Sequence, residues 1–157
     1  MLSDKAKSEI QTLMAKYPDK RSAIMPALQL AQCEVGWLPD EVVRELAGLI
    51  GMSVTEVGSV ASFYTMYARE KPGKHTIMFC TDLPCALAGA DKMLERIEHK
   101  LGCRAGQTSP DGKITLREAE CLGGCDHAPV MLIDGVEHQQ DLTDEKVDEI
   151  IERLQKS

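Results

Sequence analysis

Two pairs of cysteines hold most of the chemistry this sequence could do. Cys80-Thr81-Asp82-Leu83-Pro84-Cys85 sets four residues between its thiols, and Cys121-Leu122-Gly123-Gly124-Cys125 sets three. Each pair is close enough in the chain to grip one metal centre. The 35 residues between the pairs are enough for a helix and a strand, so a fold can bring the pairs together. Four converging thiolates suit a [2Fe–2S] cluster, with two cysteines on each iron, or a tetrahedral zinc ion. Structural zinc sites favour C-x2-C turns, so these spacings lean toward iron and sulfide without removing zinc. The C-x-x-C signature of a thioredoxin-type redox pair is absent.

The residues around the thiols fit a buried anionic group. Gly123 and Gly124 carry no Cβ, so their backbone can come close and turn N–H groups toward sulfur. Such hydrogen bonds help to set a cluster's reduction potential. Pro84 stiffens the first loop, and a helix starting just after Cys85 would aim its positive end at the centre. Cys33 and Cys103 are isolated and read as small hydrophobes. His127 lies two residues after Cys125 and could coordinate as histidine does in Rieske centres, but four cysteines already complete a ligand set. His75, His99 and His138 have no partner pattern.

These loops need elements to position them. Ile10, Leu13, Met14 and Tyr17 share one face of a first helix closed by Pro18. A second helix is expected from Ser22 to the C-capping Gly36. Pro39-Asp40-Glu41 opens a third that ends at Gly51. Ser53 and Glu56 form a capping box for a fourth, expected to reach about Tyr67. The texture changes at Lys71-Pro72-Gly73-Lys74, a turn-forming linker. Beyond it come a strand ending at Cys80, an amphipathic helix from about Ala86 to Leu101, and a strand at Ile114-Thr115-Leu116. An Asp134-Gly135 hairpin and a last helix capped by Thr143 follow. The expected fold is α+β: a small helical bundle over residues 1–70, then a thioredoxin-like α/β domain with a four-stranded sheet over residues 71–157.

Composition narrows the function classes. Of 157 residues, 43% are apolar and 27% charged, enough for a real core without metal or disulfides carrying the whole fold. The net charge is −7, and Lys and Arg are scattered, which argues against a nucleic-acid partner or an anionic membrane surface. No run approaches the roughly 18 apolar residues of a membrane span, and the first residues carry no targeting pattern. The expected compartment is a reducing cytoplasm, where six cysteines serve as ligands, reactive thiols or core residues. Neither a G-x-G-x-x-G fingerprint nor a phosphate-binding P-loop is present, so nothing here would bind NADH or transfer hydride unaided.

Several stretches together carry a family likeness. They are Tyr17-Pro18 with Arg21-Ser22-Ala23, Gly36-Trp37 and Ser62-Phe63-Tyr64-Thr65-Met66-Tyr67. They continue through Cys80-x4-Cys85, Glu120 to Cys125 with Ala128-Pro129, and Asp141-Leu142-Thr143, and so cover nearly the whole chain. In these the chain resembles the small thioredoxin-like [2Fe–2S] subunit of NADH:quinone oxidoreductase, respiratory complex I. The resemblance implies that Cys80, Cys85, Cys121 and Cys125 bind one [2Fe–2S] cluster. It implies a partner subunit that binds FMN and NADH, with hydride passing from NADH to FMN there. The cluster would exchange single electrons with that flavin, off the main route to quinone. The complex would be membrane-bound, with this subunit in a peripheral arm on the cytoplasmic face and not itself inserted. Similar subunits serve NAD-dependent hydrogenases and formate dehydrogenases, which stay as the alternative, with a structural zinc scaffold behind them. His127 stands where the family often has Asn or another polar residue.

Overall fold

The computed structural model describes residues 1–157 and divides them into two compact units, Met1–Lys71 and Pro72–Ser157. The first is all helical. Helix α1 (Asp4–Met14) starts at Ser3, whose hydroxyl accepts the Ala6 N–H. A 3₁₀ turn over Lys20–Ala23 leads into α2 (Ile24–Val35), which stops at Gly36 with φ +87°. Helix α3 (Asp40–Ile50) follows Pro39, and α4 (Val54–Phe63) opens on the full Ser53–Glu56 capping box. Ile10, Leu28, Leu38, Leu46, Ile50 and Val57 form one fully buried core.

Helix α2 starts at Ile24 rather than Ser22, which lies in the 3₁₀ turn, and two helix ends also differ from the sequence expectation. Helix α1 ends at Met14 rather than reaching Tyr17, and α4 ends at Phe63 rather than near Tyr67. In α4 the Ser59 and Ser62 hydroxyls donate back to the carbonyls of Thr55 and Ser59, a competition that weakens a helix. Tyr64 then turns extended. That turn buries Tyr67, whose hydroxyl donates to the Met25 carbonyl at 2.9 Å. It also lets the Leu38 N–H donate to the Ala68 carbonyl, and the Ala68 N–H donate to the Gln32 side chain. Tertiary hydrogen bonds outweigh one more helical turn here.

The second unit is a four-stranded sheet with helices. Strands β1 (His75–Cys80), β2 (Ile114–Ala119), β3 (Met131–Ile133) and β4 (Glu137–Gln139) lie in the order β2-β1-β3-β4. β1 runs parallel to β2 and antiparallel to β3, and β3–β4 is an antiparallel hairpin. Asp134 and Gly135 both have positive φ at its turn, the geometry that matches strand twist. Between β1 and β2 lie α5 (Leu83–Leu87) and α6 (Ala90–Leu101), and α7 (Asp144–Lys156) closes the chain from its Thr143 cap. Ile77 and Phe79 of β1 share one core with Met93 and Ile97 of α6 and Val147 and Ile151 of α7. Arg96 of α6 binds Asp148 of α7 through both Nε and Nη2, holding α6 beside α7 and keeping the Asp148 carboxyl below its ordinary range.

The helix expected from Ala86 is two. A residue at φ +94°, Gly89, separates the one-turn α5 from α6. Cys85 therefore lies inside α5, and the long helix begins five residues beyond it. The helix that carries Cys85 is thus the one-turn α5 and not the long α6.

Gly73 enters the sheet edge tightly. Its N–H donates to the Thr115 hydroxyl at 2.7 Å, and an added Cβ would stand 2.8 Å from the backbone carbon and oxygen of Lys113. Backbone cannot swing aside as a side chain can. Gly73→Ala is expected to cost about 1–3 kcal/mol, the range of other overpacked sites, read as a lower urea midpoint with unchanged slope.

Candidate metal centre

The parallel pairing of β1 with β2 decides where the thiols go. Cys80 is the last residue of β1, in register with Ala119, the last of β2. Both strands therefore release their following loops at the same sheet end. The Thr81 N–H donates to the Ala119 carbonyl at 3.0 Å, extending the ladder one step past Cys80. The Cys80 thiol faces the Glu120 carbonyl at 3.8 Å, one residue before Cys121.

All six cysteines are free thiols. Cys80 and Cys85 are buried, at 2% and 1% exposure, while Cys121 and Cys125 are exposed. The Cys80 thiol acts on Cys85 and the Cys121 thiol on Cys125, and Cys125 lies within electrostatic reach of Cys80 and Cys85. The fold thus delivers two pairs to one end of the sheet, one buried and one exposed. No three His, Cys, Asp or Glu side chains crowd tightly enough to enclose a single ion.

Burial pushes the Cys85 thiol up to about 11, and the Cys80 thiol beside it adds to the rise. The Val130 N–H works the other way, since a hydrogen bond to sulfur favours the thiolate. Cys125 is raised as well, first by local loss of water and then by its Cys121 neighbour. Thiols raised in this way bind a cationic centre only by releasing their protons to solvent. Four soft sulfur donors in two pairs, with a backbone N–H aimed at one of them, fit a [2Fe–2S] cluster with one pair on each iron.

The second cysteine loop is clamped from several sides. The Cys80 N–H donates to the Val130 carbonyl, and the Leu142 N–H to the Pro129 carbonyl. The Asp141 N–H donates to the His127 carbonyl, and the Asp141 carboxylate accepts from His127 Nδ1 at 3.0 Å. His127 is thus engaged with Asp141 and, more loosely, with Asp126. His138 Nε2 donates to the Leu122 carbonyl at 3.0 Å. Sequence reasoning missed Val130, His138 and Asp141, because each acts across strands and carries no local motif. Cys33 lies on α2 with the Gln29 amide beside it, and Cys103 follows α6 near the Gln107 carbonyl, half-buried and raised by that burial.

A family model, thioredoxin-like [2Fe-2S] ferredoxin, matches residues 10–155. The chain is 41% identical over 146 residues to the second E-type subunit of NADH-quinone oxidoreductase of Rhizobium meliloti (strain 1021), covering 93% of this chain and 86% of that one. It is 42% identical over 148 residues to the E-type subunit of NADH-quinone oxidoreductase of Rickettsia conorii (strain ATCC VR-613 / Malish 7), covering 92% and 88%. Among solved structures, an NAD+-reducing [NiFe]-hydrogenase in the air-oxidized state superposes with a TM-score of 0.74 at 24% identity. That match covers 84% of this chain and only 22% of the hydrogenase chain, and it speaks to the fold. With its two cysteine pairs at one sheet end and this match over nearly its full length, the chain belongs to the thioredoxin-like [2Fe-2S] ferredoxin family.

Proposed function

We propose that this chain is the [2Fe–2S] electron-transfer subunit of an NADH:quinone oxidoreductase, with Cys80, Cys85, Cys121 and Cys125 as the four ligands. It has no catalytic residue of its own and exchanges electrons with a partner flavoprotein subunit that binds FMN and NADH. The observation that carries the ligand set is the release of both cysteine pairs at one sheet end by the in-register ends of β1 and β2, with the thiols of the two pairs in electrostatic reach of each other. When bound, a [2Fe–2S] cluster supplies reversible one-electron exchange. Cys80 and Cys85 anchor it from the buried side, and the Val130 N–H stabilises negative charge on the Cys85 sulfur. Cys121 and Cys125 hold it from the exposed loop, the side a redox partner can approach.

Residues 1–70 act as an assembly domain and residues 71–157 as the cluster domain. Phe63, the last residue of α4, and Met66 just beyond it stand exposed beside Tyr64 and form the surface for the flavoprotein subunit. No helix is long and apolar enough to cross a membrane; likeness to E-type subunits supports a place in a peripheral arm, read here as lying on the cytoplasmic face.

The test is anaerobic purification, iron and sulfide analysis, and EPR before and after reduction. The expected result is about two irons and two sulfides per chain with a signal that appears on reduction by dithionite. NADH alone should leave the protein oxidised, because the chain has no dinucleotide-binding fingerprint. NADH with the flavoprotein subunit should produce the same signal. Colourless protein holding one zinc would overturn the reading. Copurification with hydrogenase or formate dehydrogenase subunits would reassign the complex.

A further inference from the structure

Gly124 is glycine for a reason the sequence does not reveal. An added Cβ there would stand 2.9 Å from His138 Cε1 and 3.0 Å from Val130 Cγ1. The imidazole of His138, on β4, therefore lies directly against the second cysteine loop. It also hydrogen-bonds that loop, from Nε2 to the Leu122 carbonyl at 3.0 Å. Because the acceptor is a carbonyl oxygen, Nε2 carries the proton. Leu122 itself is half-buried, its side chain packed against the core. One residue is thus held by its side chain from below and by its carbonyl from β4.

The consequence lies in the next peptide plane. In a trans peptide the C=O and the following N–H point in opposite directions. Fixing the Leu122 carbonyl toward His138 fixes the Gly123 N–H on the side away from His138. Gly123 sits at φ +77°, and nothing lies within 4 Å of where its Cβ would be. Glycine visits both signs of φ at little cost, so rotation of this peptide is opposed by few local restraints. The His138 hydrogen bond supplies a restraint from outside the loop.

We propose that His138 is a positioning residue for the iron–sulfur centre: by binding the Leu122 carbonyl and lying against Gly124, it sets the orientation of the Leu122–Gly123 peptide in the Cys121–Cys125 loop. The proposal rests on the reading of Cys121 and Cys125 as ligands. Backbone N–H groups near cluster sulfur tune the reduction potential, so a peptide orientation chosen by His138 is written into the potential and the EPR signature.

The experiment compares wild type, His138→Phe and His138→Gln, each purified as the full chain. Iron and sulfide content are measured first, then the midpoint potential and the EPR spectrum of the reduced protein. Phe keeps a ring against Gly124 but has no donor, while Gln keeps an N–H donor. The expected result is that His138→Phe changes the reduced-to-oxidised ratio at a fixed solution potential by about tenfold, or 59 mV for one electron. Its EPR signal should broaden or shift, and His138→Gln should return both readouts toward wild type. A His138→Phe protein that loses its cluster while His138→Gln keeps it supports the same role. Wild-type potential and spectrum in His138→Phe would overturn it, as would equal changes, or equal cluster loss, in both variants. Wild-type protein without two irons and two sulfides would instead sink the ligand reading beneath it.

Discussion

Alanine at Cys80, Cys85, Cys121 or Cys125 is expected to strip the protein of its iron and sulfide, while alanine at Cys33 or Cys103 leaves both intact. Changes to partners that only orient metal ligands already cost ~10–100-fold in affinity, so loss of a ligand itself should cost at least as much. The four variants should differ in a second respect. Cys80 and Cys85 are buried in the core shared by β1, α6 and α7, so their loss also opens a small void. Removing a sulfur of that size is expected to cost about 1 kcal/mol in apo-protein stability, near the low end of cavity-forming changes. Cys121 and Cys125 are exposed, and their alanine variants should unfold like the apo wild type. Iron, acid-labile sulfide and visible absorption report the first effect, and urea unfolding of the apo forms reports the second. Loss of iron on changing Cys33 or Cys103 would refute the ligand set. The outcome also bears on stability of the loaded protein, since a group bound only by the folded state adds to the free energy of unfolding.

How far the sequence foretold this site depends on the range over which each feature is determined. Ser53 with Glu56, Pro39 before two acids, and Thr143 before the last helix are local chemistry, and each begins a helix where expected. The run His75 to Cys80 is β-branched and aromatic enough to read as a strand, and Asp134-Gly135 is a turn by backbone preference alone. Cys80 and Cys121 could therefore be placed at strand exits without a structure. The ends of α1 and α4 were less legible because tertiary partners decide them: Tyr67 leaves the helix to bond Met25, 42 residues away in sequence. The break at Gly89 was hidden by apolar spacing that continues across it, from Cys85 and Leu87 into α6. The clamp on the second cysteine loop was invisible for a similar reason. His138 meets Leu122 from 16 residues away, and Asp141 meets His127 from 14, through a hairpin whose register no single residue announces.

Placing aspartate at Phe63 or Met66 is expected to weaken the complex with the FMN-binding subunit by about 30-fold or more, the effect of losing an interface anchor worth about 2 kcal/mol. Phe63 is 77% exposed and Met66 59%, a poor arrangement for a helical unit whose other large apolar side chains are mostly buried or half-buried. The rings form a graded series. Phe63 meets Tyr64 edge-to-face at 5.1 Å, and Tyr64 meets Tyr67 edge-to-face at 6.4 Å. Tyr67 is buried and tied to α2 through Met25, so the exposed end of the series is backed by a fixed core residue. Such a platform loses little freedom when covered, which favours binding. Because Phe63 and Met66 contribute little to the core, aspartate there should leave cluster content and the thermal midpoint of the isolated protein near wild type. Titration of the flavoprotein subunit, followed by NADH-dependent reduction of the cluster, measures both binding and its redox consequence. Wild-type affinity in both variants would mean that the flavoprotein docks elsewhere. Loss of NADH-dependent reduction at subsaturating flavoprotein, restored by raising its concentration, would place the defect in association rather than in the iron–sulfur centre.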